Sequence, residues 1–393
     1  MSTPTPLDWS LLSTQAVHQD DLINLGYGYP DPALLPTQAM SRACQTALLK
    51  MGSSALEYGA NAGPAPLLQA LRVHLAAIGE GDCGPGELMI TAGTSHALDV
   101  LTTLFTRPGD VVLVESPTYH LALRVLRDHP VELVSVPGDE DGIDVDALEA
   151  LVHRLRHASK TVCALYCVPT FNNPTGASLP EARRTQLAQW AADARVKIFE
   201  DDVYRELSYD APAPPSLGSI ALRGTVVRMG SFSKTLAPGL RLGYVTASEE
   251  IITRVLESGL LDSGGGLNHF TACCVAGLFD NGDYIPALTH LRAAYRARRD
   301  ALVTALSMHL PVGCTWRVPG GGFFVWVHLP EAIDSNALLD VAHQAGVAFV
   351  PGRKFFSAQG GANTCRLAFT LYDELRLAEG ARRLGQAIRM MQA

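Results

Sequence analysis

The chain has 393 residues, a length that suits two domains better than a single core. With 47% hydrophobic and 18% charged residues it has the composition of a compact folded protein, which excludes a disordered chain. A net charge of −8 argues against a nucleic-acid partner, and no apolar run reaches the roughly 18 residues that cross a bilayer.

From residue 87 onward, short β-rich apolar runs alternate with longer amphipathic stretches. The pattern predicts strands at 87–91, 110–115, 131–136, 161–168, 196–201, 225–229 and 242–246. Between them it predicts helices at 95–105, 121–127, 145–155 and 180–193. Near-continuous apolar strands alternating with helices indicate an α/β fold, a mostly parallel sheet covered on both faces. The C-terminal third changes character. A long helical pattern at 284–308 carries Arg292, Arg296, Arg298 and Arg299, which read as a solvated face or an ion-pair network. Then come Gly320-Gly321-Gly322 and an apolar strand, a helix at 336–344, a strand at 366–370 and a terminal helix. This reads as a smaller α+β module joined by the N-terminal segment. The expected division is 1–44 as an N-terminal arm and part of the small domain, 45–270 as the large domain, and 271–393 as the small C-terminal domain.

The opening Met1-Ser2-Thr3-Pro4-Thr5-Pro6-Leu7-Asp8 has no basic segment ahead of an apolar core, so no signal peptide is expected and the expected location is cytoplasmic. Eight scattered cysteines lack paired Cys-x-x-Cys spacing and read as free thiols; no metal is expected.

Ligands of an open parallel sheet gather beyond the carboxyl ends of its strands. Beyond the first, Gly93-Thr94-Ser95-His96 opens a helix whose free N–H groups suit a phosphate, although ordinary capping explains the same residues. Beyond 161–168, Pro169 to Gly176 is a turn by composition. That accounts for Pro174 and Gly176 but does not require Asn173, which can donate to a phenolate-like oxygen. Beyond 196–201, the carboxylates of Glu200-Asp201-Asp202-Val203-Tyr204 can bind a metal, cap a helix or pair with a cationic ring nitrogen. No histidine cluster lies near them in sequence.

Beyond 225–229 comes Gly230-Ser231-Phe232-Ser233-Lys234-Thr235. Of five lysines, Lys234 alone stands at a strand's carboxyl end. Desolvated there among other cations, its amine would have a lowered pKa and attack carbonyls; a surface lysine in a turn is the plain alternative. No nucleotide-binding Gly-Lys-Ser or Gly-Lys-Thr occurs, and the first strand–helix turn lacks the dinucleotide glycines. A phosphate site, an Asn, an Asp-x-x-Tyr and a Ser-x-Ser-Lys at successive strand ends together describe one cofactor.

This ordered set resembles the fold-type I aminotransferases, among them the 2-aminoadipate and kynurenine aminotransferases and the effector domains of MocR-type regulators. The likeness runs from Gly28-Tyr29-Pro30-Asp31-Pro32 to Arg366-Leu367-Ala368-Phe369. It is densest in Ser231-Phe232-Ser233-Lys234-Thr235-Leu236-Ala237-Pro238-Gly239-Leu240-Arg241, in Asn173-Pro174-Thr175-Gly176 and in Glu200-Asp201-Asp202-Val203-Tyr204. It implies the PLP-dependent transferase fold type I and a pyridoxal 5'-phosphate (PLP) enzyme moving the α-amino group of an amino acid to a 2-oxo acid. Lys234 would carry the cofactor as a Schiff base and serve as general base. Asp201 would pair with the pyridine nitrogen, Asn173 and Tyr204 would bond the phenolic oxygen, and Tyr119 would stack on the ring. Thr94, Ser95, Ser231, Ser233 and Arg241 would hold the phosphate. Tyr58 would join them from the second subunit of a homodimer with shared active sites. Arg366 would clamp the substrate α-carboxylate, beside Asn173.

The same cofactor residues serve PLP-dependent cyclases, lyases and oxidases acting on amino acids in secondary metabolism, which are the alternative to transamination. An effector-sensing module would need a DNA-binding domain, and the stretch before Gly28 is too short for a winged helix. Three features depart from the family pattern. Gly26-Tyr27-Gly28-Tyr29 stands where two adjacent glycines are common near the substrate. Tyr27 and Gly28 are therefore candidate substrate contacts, unless the tyrosines simply pack in the arm. Phe171-Asn172 stands where relatives vary between Gln and Asn. The run from Asp262 through Gly264-Gly265-Gly266 to Phe270 replaces a usual Pro-Ser segment, and its Asn268 and His269 either reach a substrate or sit in a plain loop.

Overall fold

The computed structural model describes residues 21–392; the opening octapeptide lies outside them. Seven strands build the central sheet: β1 (Leu88–Thr91), β2 (Val111–Val114), β3 (Glu132–Ser135), β4 (Val162–Cys167), β5 (Lys197–Asp201), β6 (Val226–Ser231) and β7 (Gly243–Thr246). Their order across the sheet is β1-β7-β6-β5-β4-β2-β3. The pairs from β3 to β6 are parallel.

The sheet is not parallel throughout. β7 runs antiparallel to both its neighbours, β6 and β1. Residues 232–242, between β6 and β7, hold only a short 3-10 turn at Pro238–Leu240. A parallel return needs a longer crossover, usually a helix, so the chain doubles back instead.

Successive side chains of a strand face opposite sides of a sheet. In β2, Val112 and Val114 pack into one core with Leu98 and Leu101 of helix Thr94–Phe105. Val111 and Leu113 enter a second core with Leu187 and Trp190 of helix Glu181–Ala194. Both faces are dry, which is why these strands read as unbroken apolar runs.

The C-terminal module is a four-stranded antiparallel sheet, β8 (Thr315–Trp316), β9 (Phe324–His328), β10 (Val350–Pro351) and β11 (Thr364–Ala368), in the order β8-β9-β11-β10. Helices Tyr284–His309 and Glu374–Gln392 pack on each other. The N-terminal segment joins this module: Ile23–Asn24 pairs parallel with Val347–Ala348. The arginine-rich helix carries an ion-pair network in which Arg298 and Arg299 are buried and Arg296 is exposed. Arg298 donates to Thr370 O at 2.7 Å and Asp31 Oδ2 at 2.6 Å, and Arg299 pairs with Asp210 and Asp300. All eight cysteines are free thiols. Among the described residues no helix is long and apolar enough to cross a membrane.

Candidate active site

The carboxyl ends of β4, β5 and β6, with the helix start beyond β1, converge on a cavity of about 310 Å³. Thr94 and Ser95, Tyr119, Asn173, Asp201 and Tyr204, then Ser231, Ser233, Lys234 and Arg241 all line it. From the N-terminal segment come Tyr27 and Gly28, and from β11 comes Arg366. A larger cavity of about 660 Å³ beside the hairpin at 138–143 contains neither Lys234, Asp201 nor Arg366. The strand-end residues gather in the smaller one.

Lys234 follows the end of β6, and its Nζ donates to Gly28 O at 3.2 Å. A Cβ on Gly28 would stand 2.7 Å from the Phe324 ring, so glycine lets that carbonyl approach. Burial, reinforced by Arg366, lowers the Lys234 ammonium to about 8, with Asp201 opposing the shift. A buried amine near neutrality is a competent nucleophile and base.

The three consecutive acids have three fates. Glu200 accepts from the N–H groups of Leu217 and Gly218, both at 2.9 Å, and so caps a one-turn helix. Asp202 is locked between Arg205 and Arg228, the latter at 2.7 Å. Asp201 alone faces the cavity. Its Oδ2 accepts from the Tyr166 hydroxyl at 2.7 Å, and its buried Oδ1 has no hydrogen-bond partner among the described residues. Burial pushes this carboxyl up to about 6, against the Tyr166 bond that lowers it.

Arg366 is a buried guanidinium with no carboxylate partner among the described residues. It donates to Asn173 Oδ1 and Gly26 O, each at 2.8 Å, and its Nε is left unsatisfied. Its plane sits 4.1 Å from the centre of the Phe324 ring and 5.0 Å from that of Phe355. Desolvation brings it down to about 10. An arginine so placed awaits an anion, and its remaining N–H groups match a planar carboxylate.

At the other end of the cavity, Gly93 has φ +91°, which turns the chain into the helix that starts at Thr94. A Cβ there would lie 3.1 Å from Arg241 Nη2. Helix N–H groups, the hydroxyls of Ser231 and Ser233, and the Arg241 guanidinium thus form a cationic cradle for an oxyanion.

Tyr58 is not brought to this cavity; it is 87% exposed. Neither Asn268 nor His269 lines it. Asn268 Nδ2 donates to Arg241 O, and His269 Nε2 lies 2.9 Å from Ser54 O. The tyrosines at 27 and 29 both line the cavity, their rings stacked at 5.5 Å and 15°. Three contributors carry no motif: Tyr166, hidden within an apolar strand, Phe324 in β9, and His120, which follows Tyr119. Burial, then Arg366, Lys354 and Arg124, pushes His120 down to about 4, so it is neutral.

The family model for aminotransferases of class I and II matches residues 20–384. The chain belongs to that family. An aromatic-amino-acid aminotransferase of Thermococcus litoralis is 35% identical over 374 residues, covering 95% of this chain and 89% of that one. A 2-aminoadipate transaminase of Thermus thermophilus is 34% identical, covering 94% and 90%. Among solved structures, the Pyrococcus horikoshii kynurenine aminotransferase in complex with PMP superposes with a TM-score of 0.89 at 34% identity, covering 95% of this chain and 92% of that one. The aminotransferase fold is therefore fold type I, the protein is a PLP-dependent enzyme, and its reaction is amino-group transfer. The cavity suits that cofactor: the unpartnered Asp201 Oδ1 answers a pyridinium, the Gly93–Arg241 cradle a phosphate, and Lys234 an aldehyde.

Proposed function

We propose that the enzyme transaminates α-amino acids with aromatic or apolar side chains, and that the roles divide along the cavity as follows. Lys234 attaches the cofactor and moves the proton. Asp201 meets the pyridine nitrogen, Asn173 and Tyr204 the phenolic oxygen, and Tyr119 the ring face. Thr94, Ser95, Ser231, Ser233 and Arg241 receive the phosphate, and Arg366 receives the substrate carboxylate. The observation that carries this reading is the buried, carboxylate-free guanidinium of Arg366 in one cavity with the low-pKa amine of Lys234.

PLP, when bound, supplies an electron sink for the carbanion left by the departing α-proton. The rest is the chain's work. Arg366 and Asn173 fix the carboxylate, which orients the Cα–H bond toward Lys234 Nζ. The lysine takes that proton as general base, at a pKa close to working pH. Asp201, anionic, holds the ring nitrogen protonated. Tyr204 and Tyr119 stay protonated because burial raises both, Tyr119 to about 12, so each remains a donor.

Side-chain preference is argued from charge. Among the described residues the cations of the cavity are Lys234, Arg241 and Arg366, and His120 is neutral. Each cation has a partner in the scheme above, leaving none for a second substrate carboxylate. The stacked Tyr27–Tyr29 pair and Phe324 offer aromatic surface instead.

Exposed Leu49, Leu56 and Tyr58 on the stretch around Gly52–Ala55 support a homodimer in which Tyr58 reaches the neighbouring phosphate. The test is a panel of amino acids with a 2-oxo acid acceptor. Aromatic substrates should give their oxo acids mole for mole with acceptor consumed. Preference for dicarboxylic substrates, or ammonia release without an acceptor, overturns the proposal.

A further inference from the structure

Tyr166 is the penultimate residue of β4, fully buried, among residues that serve the core. Packing alone would be met by phenylalanine, as it is at Phe199 on the adjacent strand. A buried phenol needs a hydrogen-bond partner, and this one has found Asp201 Oδ2 at 2.7 Å. It is the one hydrogen-bond donor to that carboxylate's side chain among the described residues.

The surroundings otherwise disfavour a charge on Asp201. Burial and the adjacent Asp202 both raise its pKa; Tyr166 and Lys234 are what oppose them. Lys234 cannot be counted on throughout the reaction, since the reading above makes it give up and take back its proton. The Tyr166 hydroxyl, raised well above the usual phenol range, remains a donor at every working pH. It also divides the carboxylate of this cavity-lining residue: Oδ2 is engaged, and Oδ1 has no hydrogen-bond partner among the described residues.

We propose that Tyr166 is a positioning residue of the reaction: its hydroxyl fixes Asp201 and keeps the carboxylate ionised, so that Oδ1 meets the cofactor's pyridine nitrogen as an anion. This rests on the assignment of Asp201 to that nitrogen.

The test compares the affinity of cofactor-free protein for PLP with that for 1-deaza-PLP, whose ring nitrogen is replaced by carbon, read by quenching of protein fluorescence. Wild type should prefer PLP. A hydrogen bond to a charged group is worth enough that Tyr166→Phe should narrow the preference about tenfold or more, through PLP alone. Asp201→Ala should erase the preference. Equal weakening toward both ligands in Tyr166→Phe, or none, overturns the inference while leaving the Asp201 assignment intact. An unchanged preference in Asp201→Ala sinks that assignment and the inference with it. A second variant with 3-fluorotyrosine at position 166 keeps ring and hydroxyl, so it folds where Tyr166→Phe does not. As a more acidic donor it should widen the preference, and a narrowing counts against the proposal.

Discussion

Replacing Lys234 with methionine in the cofactor-free protein should make it more stable at pH 7, and the gain should vanish as the pH rises. The ammonium is buried beside Arg366 and Arg241, with Asp201 in partial compensation, and its pKa falls from 10.5 to about 8. A drop of about 2.5 units at 1.36 kcal/mol per unit costs the folded state about 3 kcal/mol at pH 7. Because the unfolded chain binds the proton more tightly, wild-type stability rises with pH between the two pKa values. By linkage the cost falls to about 2 kcal/mol at pH 9 and about 1 kcal/mol at pH 10. Methionine fills a similar volume but loses the bond to Gly28 O, worth about 1 kcal/mol. The variant should therefore lead by about 2 kcal/mol at pH 7 and trail slightly at pH 10. Urea midpoints of the two proteins, taken at pH 7, 9 and 10, measure the difference, in which other titrating groups cancel. A pH-independent difference would falsify the claim that Lys234 is held desolvated. The functional stake is direct: with a pKa near 8, about a tenth of the amine is free at pH 7, some 300-fold more than for an ordinary lysine.

Arg366→Lys should raise KM for amino acid and oxo acid together by about 10- to 100-fold, because a point charge cannot make the paired contacts of the guanidinium. The cofactor's absorbance should be unchanged; a lost absorbance band with unaltered KM would assign Arg366 to the cofactor instead. Arg228→Leu should destabilise the fold by about 3–5 kcal/mol, since it strips one cation from buried Asp202 and Glu80. A urea midpoint within error of wild type would show that Arg205 alone balances both carboxylates.

Much of this architecture was legible because its strands are buried on both faces, so β2 and β4 read as uninterrupted apolar runs. The direction of β7 was not, since an apolar strand carries no mark of polarity and only the connection at 232–242 decides it. Helices Thr37–Met51 and Ala65–Ala77 lie ahead of the clear alternation. The strand-end residues announced themselves by position: Lys234 and Asn173 follow β6 and β4, Asp201 ends β5, and the three meet in one cavity. Tyr166 did not, because within an apolar strand a tyrosine chosen for its hydroxyl looks the same as one chosen for its bulk. The buried fate of Arg298 and Arg299 was equally hidden, as their partners Asp31 and Asp210 are remote in sequence.

The charge of the whole chain is a poor guide to the charge of its site. The protein carries −8, yet the cavity gathers Lys234, Arg241 and Arg366 against the single facing carboxylate of Asp201. Glu200 and Asp202 do not line it: one accepts from backbone N–H groups and the other is paired with Arg205 and Arg228. That disposal of two acids is what leaves the cavity positive. Such a pocket draws in what this family's chemistry brings, a phosphate and then a carboxylate, and low-dielectric walls strengthen the attraction. Each arrival removes repulsion: an anion on Arg241 or Arg366 relieves a cation that lowers the Lys234 pKa. Substrate binding should therefore raise the affinity of the amine for a proton at the step where the proposed roles have it accept one from Cα.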